Sequence, residues 1–274
     1  MYRDLLVHVD GSQAGCRRVQ FAFDLAIRTG AGVSGLHITP PVEVPPRHKP
    51  SHIAKVAAEI SSKLALDAHA AAAVFRVEAM QRSVDARWFE AAGDVARGVS
   101  DHARFADLVI LGQYEWQGSP PAHPLPIAHS VVSQCGRPVL LVPAVVQPRA
   151  LEKIAVAWDG SREAVRAVHD ALPLLRLSRS IQIVTMISPS AEADDLDAKS
   201  LSEHLANHGI KVGTDVRQIR TAEEDESLRK EIEQGAYDLL VMGGYSHPMW
   251  LEFIFGGATR LMLLSSKIPV LVSH

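Results

Sequence analysis

The chain has 274 residues, 28 of them Lys or Arg and 31 Asp or Glu, for a formal charge of −3, with 47% apolar and 22% charged residues. That is the composition of a soluble globular protein, without the basic excess that would recommend a nucleic acid or an anionic membrane as partner. No window of about eighteen residues is free of both charge and proline, which excludes a transmembrane helix, and the two cysteines, Cys16 and Cys135, are too few for a disulfide framework or a zinc ribbon.

The first ten residues read as a strand, with no signal-peptide h-region or small-residue cleavage site, so a cytoplasmic location is expected. After Asp10-Gly11-Ser12, apolar residues at Cys16, Val19, Phe23, Ala26 and Ile27 form a helical stripe that Gly30 ends. A second strand is predicted over 33–38. The five prolines between Thr39 and Pro50 predict a loop, an Ala-rich helix is predicted from about Ile53 to Phe75, and a third strand near Ala86–Ala91. A short helix leads to a buried strand, Leu108-Val109-Ile110-Leu111-Gly112, and the half closes on Pro138-Val139-Leu140-Leu141-Val142.

The same order then returns. Residues 5–12, Leu-Leu-Val-His-Val-Asp-Gly-Ser, are echoed at 154–161 by Ile-Ala-Val-Ala-Trp-Asp-Gly-Ser, an offset of 154 − 5 = 149. Ala106-Asp107-Leu108 returns as Tyr237-Asp238-Leu239, and Pro138-Val139-Leu140 as Pro269-Val270-Leu271, both at an offset of 131. Gly112 to Pro138 and Gly243 to Pro269 each span 26 residues. The difference of 149 − 131 = 18 is extra chain after the second strand of the first half. The second-half helix stripe is Ala164, Val165, Val168, Leu172 and Leu175, with further strands predicted over 181–187 and 212–219. Two homologous domains are expected, 1–146 and 147–274, with the boundary in Pro143–Arg149. Near-continuous apolar strands alternating with helices make each an α/β sandwich on a five-stranded parallel sheet. The first half has 14 basic and 13 acidic residues and the second 14 and 18, so the second is the acidic copy.

Few enzyme signatures are present. No glycine precedes a lysine, so there is no Walker A loop, and His-Glu-x-x-His, Cys-x-x-Cys and Gly-x-Ser-x-Gly are missing. Gly30-Ala31-Gly32-Val33-Ser34-Gly35 matches the dinucleotide fingerprint in letters, but it follows a helix and precedes a strand, the reverse of what that fingerprint needs. The informative stretch is Met242-Gly243-Gly244-Tyr245-Ser246-His247, followed by Gly256-Gly257-Ala258-Thr259-Arg260. A strand ending in glycine, a ten-residue loop and a helix expected near Gly257 would offer backbone N–H groups to an anion. A glycine-rich turn that serves only to reverse the chain is the other reading.

These motifs resemble the universal stress proteins. An Asp-Gly-Ser after the first strand, a Gly-x-x-Gly-x9-Gly-Ser/Thr loop after the fourth, and a final Pro-Val-Leu-Val strand are marks of that family, and the resemblance covers the chain twice. It implies strand order 3-2-1-4-5 in each domain and an intramolecular pseudo-dimer through the last strands. It also implies that ATP, with Mg²⁺, is held in the C-terminal domain only. The implied contacts are Gly243, Ser246, Gly256, Gly257 and Thr259 to phosphate, Asp159 to ribose and Met186 to adenine. Ser246 stands where the second glycine is usual, and Gly257 where Ser or Thr is usual, with Thr259 offering a hydroxyl two residues on. In the first copy the corresponding positions are Glu115, Leu125 and Pro126, which oppose phosphate by charge and by a missing N–H. No nucleotide is expected there.

The expectation is a stress-response protein whose C-terminal domain is an ATP-binding switch without efficient hydrolysis, since no Walker-type lysine and no second Mg²⁺ carboxylate near Asp159 are visible. Met249, Trp250, Phe253 and Phe255 suggest a protein partner at 245–255, and self-association into a homodimer of tandem chains is a further expectation. The alternatives are a nucleotide-independent interaction module with decayed sites in both halves, and a nucleotide-using hydrolase. His48/His52 and His204/His208 have metal-compatible spacing but are read as solvated helix faces. The run 191–197 is read as a solvated loop or helix start, Glu223–Glu226 as the charged start of a helix, and both cysteines as structural.

Overall fold

A computed structural model of the chain describes residues 1–44, 50–113, 127–146, 151–187, 195–213, 217–220, 224–244, 262 and 266–274. Its elements are β1 (Asp4–His8), α1 (Gln13–Thr29), β2 (Gly32–Thr39), α2 (Pro50–Arg82), β3 (Ala86–Ala92), α3 (Val95–Ala103), β4 (Leu108–Gly112), α4 (Ile127–Gln134) and β5 (Val139–Val142) in the first half. The second half has β6 (Lys153–Trp158), α5 (Arg162–Leu175), β7 (Ser180–Ile187), α6 (Asp195–Asn207), β8 (Arg217–Arg220), α7 (Glu224–Gln234), β9 (Leu239–Gly243) and β10 (Val270–Ser273).

All ten strands form one sheet in the order β3-β2-β1-β4-β5-β10-β9-β6-β7-β8, so each half has the order 3-2-1-4-5. Pairing is parallel within each half and antiparallel only where β5 meets β10. At that seam Leu140 lies opposite Leu271, Leu141 opposite Val270 and Val139 opposite Val272. Since 140 + 131 = 271, a pseudo-two-fold axis passes through the Leu140–Leu271 pair, and the last strand of each half covers the other's edge. Apolar residues from alternate strand positions build a core on each face of the sheet, one under α1, α2, α5 and α6 and the other under α3, α4 and α7.

The repeated Asp residues tie the strands together. Asp107 Oδ2 accepts the N–H groups of Arg3 and Asp4 at 2.6 and 3.1 Å, and Asp238 Oδ2 accepts those of Glu152 and Lys153 at 3.0 and 2.9 Å. The turns repeat as well. Ser12 Oγ accepts the Gly15 N–H at 2.9 Å to cap α1, and Ser161 Oγ accepts that of Ala164 at 3.1 Å to cap α5. Gly30, at φ 69°, closes α1 in the left-handed conformation that glycine takes without steric cost.

Some predicted elements differ from those found. The Ala-rich helix runs over Pro50–Arg82, beyond the expected 53–75 at both ends, and the strand expected over 212–219 is found at Arg217–Arg220, with 214–216 outside the described residues. Ile27 and Val165, assigned to buried stripes, are exposed, while Leu25 and Ala22 turn inward. No helix among the described residues is long and apolar enough to cross a membrane. His204 and His208 stand edge to face with centroids 4.8 Å apart, and no group of three metal-ligating side chains occurs among the described residues.

Candidate functional site

In each half the winding reverses at the first strand, β1 lying between β2 and β4 and β6 between β7 and β9. The carboxyl ends of these strands flank a crevice of the kind that holds ligands in open α/β sheets. Ladder register brings three predicted residues to the second crevice. Trp158, the last residue of β6, pairs with Thr185, so Asp159 and Met186 are the next residues on adjacent strands. On the other side Val156 pairs with Val241, which places the end of β9 at Gly243 level with the end of β6. Ser246, Gly256, Gly257 and Thr259, together with the 245–255 segment, lie outside the described residues, as do Glu115, Leu125 and Pro126 of the first half.

Asp159 is exposed and shaped by its own turn. Its Oδ1 accepts the Ser161 N–H at 3.0 Å and the Ser161 hydroxyl at 2.6 Å, leaving Oδ2 without a hydrogen bond among the described residues. Gly243 has to be glycine, because a Cβ there would stand 2.6 Å from the Ala164 nitrogen and 2.8 Å from the Glu163 carbonyl carbon. The first turn of α5 therefore packs directly on the end of β9. The indole Nε1 of Trp158, at the end of β6, is buried with no partner among the described residues, a donor whose desolvation none of them offsets.

The first crevice has the same backbone and different contents. Arg18, only 5% exposed, reaches from α1 across the crevice. Its Nε donates to the His8 carbonyl at 2.7 Å and its Nη2 to Asp10 Oδ2 at 2.5 Å, while Nη1 lies where a Cβ on Gly112 would be. From the other side, Asp67 of α2 accepts the Gly11 N–H at 2.8 Å, and a Cβ on Gly11 would meet that carboxylate at 2.6 Å. Asp10, the counterpart of Asp159, is thus consumed. Burial alone would raise its pKa, but Arg18 and the Ser12 hydroxyl hold it down at about 2.

Two imidazoles complete the plug. Burial and the Arg18 guanidinium push His8 down to about 4. His37, 3% exposed, donates from Nδ1 to the Val9 carbonyl at 2.9 Å and leaves Nε2 as a buried acceptor with no partner among the described residues. The corresponding residues of the second half, at an offset of 149, are Ala157 for His8 and Ala167 for Arg18. Sequence reasoning placed the block of the first crevice at Glu115 and Pro126 and did not single out Arg18. The signal was available: Arg18 shares a helical face with Ala22 and Leu25, four and seven residues on, and stands opposite an alanine in the other copy.

The family model of the universal stress protein family matches the chain twice, over residues 1–143 and 150–274. Among solved structures, a universal stress protein from Archaeoglobus fulgidus DSM 4304 is 18% identical, with a TM-score of 0.73, covering 98% of this chain and 97% of that one. A functionally unknown protein from Pseudomonas aeruginosa PAO1 is 13% identical, with a TM-score of 0.59 and coverage of 99% and 92%. A universal stress protein solved in complex with cAMP is 20% identical, with a TM-score of 0.38, and covers 46% of this chain and 98% of its own. No curated protein matches at a significant score. At such identities the solved structures speak for the fold, and the double family match for descent: the chain belongs to the universal stress protein family and carries its domain in tandem.

Proposed function

We propose that this stress-response protein binds ATP at the second crevice only, as a switch with no efficient turnover. The observation that carries the reading is the contrast between equivalent positions. Where the first half sets Arg18 across Asp10 and Gly112, the second has Ala167 and leaves Asp159 exposed beside Gly243. Asp159 is suited to accept from ribose hydroxyls, and the Met186 backbone at the end of β7 to meet the adenine. Ser246, Gly256, Gly257 and Thr259 are the phosphate contacts in this reading, and Mg²⁺ would accompany the nucleotide. Two features of the described residues support a ligand there: Asp159 Oδ2 has no hydrogen bond among them, and Trp158 Nε1 is a buried donor with no partner among them.

What supports binding without turnover is that Asp159 is the exposed carboxylate among the described residues of the crevice, and that no lysine of the phosphate-gripping kind follows a glycine anywhere in the chain. Occupancy would then act through contacts of the 245–255 segment with a protein partner in the cytoplasm. The rival, a nucleotide-independent interaction module, is favoured by one feature. Glu163, 4% exposed and paired with Arg162, stands against Gly243 and would set a carboxylate near the phosphates.

Calorimetric titration of the intact chain with ATP and Mg²⁺ separates these readings. One site per chain is expected, weakened about tenfold or more in Asp159→Ala, with phosphate release at background. Two sites, both retained in Arg176→Glu, would overturn the plugged first crevice. Absence of heat and of thermal stabilisation at millimolar ATP would favour the interaction module, and phosphate release abolished by Asp159→Ala would mark an enzyme.

A further inference from the structure

A cavity of about 330 Å³ lies at the junction of the two halves, between α5 and the Gly136–Pro138 segment that leads into β5. Arg137, Arg166, Arg176 and His169 line it, together with Asp107 and Asp170. Arg166 and His169 share a face of α5, and Arg176, its C-cap, continues that face, since 166, 169 and 176 are spaced by three and seven. The fourth, Arg137, comes from the other half of the chain. The cluster exists only because the halves are joined at β5 and β10.

The carboxylates are committed to the fold. Asp107 Oδ2 holds the Arg3 and Asp4 N–H groups, and Asp170 Oδ2 accepts from Ser273 Oγ at 2.9 Å, with Arg166 Nε 3.7 Å away. Tyr2 donates its hydroxyl to the Asp170 carbonyl at 2.6 Å, and burial, reinforced by both carboxylates, pushes its pKa up, so it adds no charge. The guanidiniums are only partly committed. Arg137 Nη2 donates to the Arg104 carbonyl at 2.9 Å and Arg166 Nη2 to the Gly136 carbonyl at 2.8 Å, leaving other N–H groups on each fork. The Arg176 guanidinium is exposed and has no hydrogen bond or ion pair among the described residues. Three permanent positive charges against two negative ones leave the cavity cationic.

The pseudo-two-fold axis supplies an internal control. It relates Arg166, His169, Arg176 and Arg137 to Arg17, Gln20, Ile27 and Ile268, of which only the first is charged. The basic cluster is therefore not a by-product of duplication; it is present on one side of a symmetric seam. We propose that this cavity binds a phosphate dianion, either inorganic phosphate or the terminal group of a small phosphomonoester. Forked N–H donors from both halves would meet its oxygens in pairs, a geometry that suits arginine and not lysine. A ligand held so would clamp the first half to the second.

The test is calorimetric titration of the intact chain with sodium phosphate and, separately, glycerol phosphate at neutral pH and low salt. Wild type, Arg176→Glu and the double variant Arg137→Ala/Arg176→Ala are compared, with circular dichroism to verify folding; the exposed Arg176 makes the single variant safe on that count. One site is expected, about tenfold weaker or more in Arg176→Glu, weakening with added salt and unchanged in Asp159→Ala. Tighter binding of the ester would mean that the cavity also receives its organic part, and tighter binding of inorganic phosphate would mean a free-ion site; either supports the proposal. Equal affinity in wild type and Arg176→Glu, loss of binding in Asp159→Ala, or no binding at tens of millimolar phosphate would overturn it.

Discussion

A guanidinium as enclosed as that of Arg18 is stable only with its donors satisfied and its charge answered, and Asp10 and the His8 carbonyl do both. The same group makes the first half sensitive to acid. In the folded state His8 titrates near 4 against 6.5 in a free chain, because burial and then Arg18 disfavour the imidazolium; Asp10 opposes them in part and His37 adds to them. Below pH 6.5 the unfolded chain takes up a proton that the folded domain refuses. Stability therefore falls as the pH drops from 6.5 to about 4, by at most about 1.4 kcal/mol per pH unit, and this contribution then levels off. Asp10 acts in a lower window, since its depressed pKa confers stability above 3.8 that is lost as the pH falls toward 2. Denaturant titrations of wild type and His8→Ala from pH 7.5 to 4.5 should differ in slope over the His8 window; parallel curves would count against this account. Of these residues, only the Asp10-Gly11-Ser12 turn was legible locally, because its hydrogen bonds close within three positions. Arg18 acts across 112 − 18 = 94 residues, at Gly112.

The long helix α2 shows how one face can be read and its length misjudged. Asp67, Ala71, Phe75, Glu78 and Arg82 recur at intervals of three and four, and that face lies on α1. Phe75 packs on Phe23 with ring centroids 5.3 Å apart. Beyond it, Gln20 Nε2 donates to Glu78 at 3.1 Å, and Arg82 pairs with Glu78 at 2.7 Å and with Asp24. Composition alone ended the helix where the alanines stop; these polar contacts with α1 carry it two turns further. Under Phe75 lies Gly35 of β2, where a Cβ would stand 2.5 Å from the Phe75 ring and 2.8 Å from that of Trp88. Gly35→Ala should cost about 1–3 kcal/mol by overpacking despite the lower entropy of the unfolded chain, read as a lowered denaturation midpoint. An unchanged midpoint would mean that α2 lifts away freely.

At the scale of the molecule, the β5–β10 seam turns two small sheets into one of ten strands. Leu140 and Leu271 are fully buried at its centre, so the edges that each half would expose alone are covered. Replacing both by lysine should split the single unfolding transition into two and produce concentration-dependent association, measured by calorimetry and sedimentation; a single unshifted transition would show that the seam is not what couples the halves. Strand order and the covered edges were implied by the family resemblance that the repeated motifs carry; duplication itself was legible in the sequence, because repeats, apolar periodicity and turn chemistry are local and survive in one dimension. Loading of the crevices was not. That Arg18 and Asp67 fill the first, where alanine stands at the position equivalent to Arg18 in the second, depends on residues far apart in sequence meeting across the sheet. The basic cavity has the same origin, since Arg137 joins Arg166 and Arg176 only when the halves dock. Local pattern determined the elements and their repetition; close packing of distant side chains decided that Arg18 and Asp67 fill the first of two equivalent crevices.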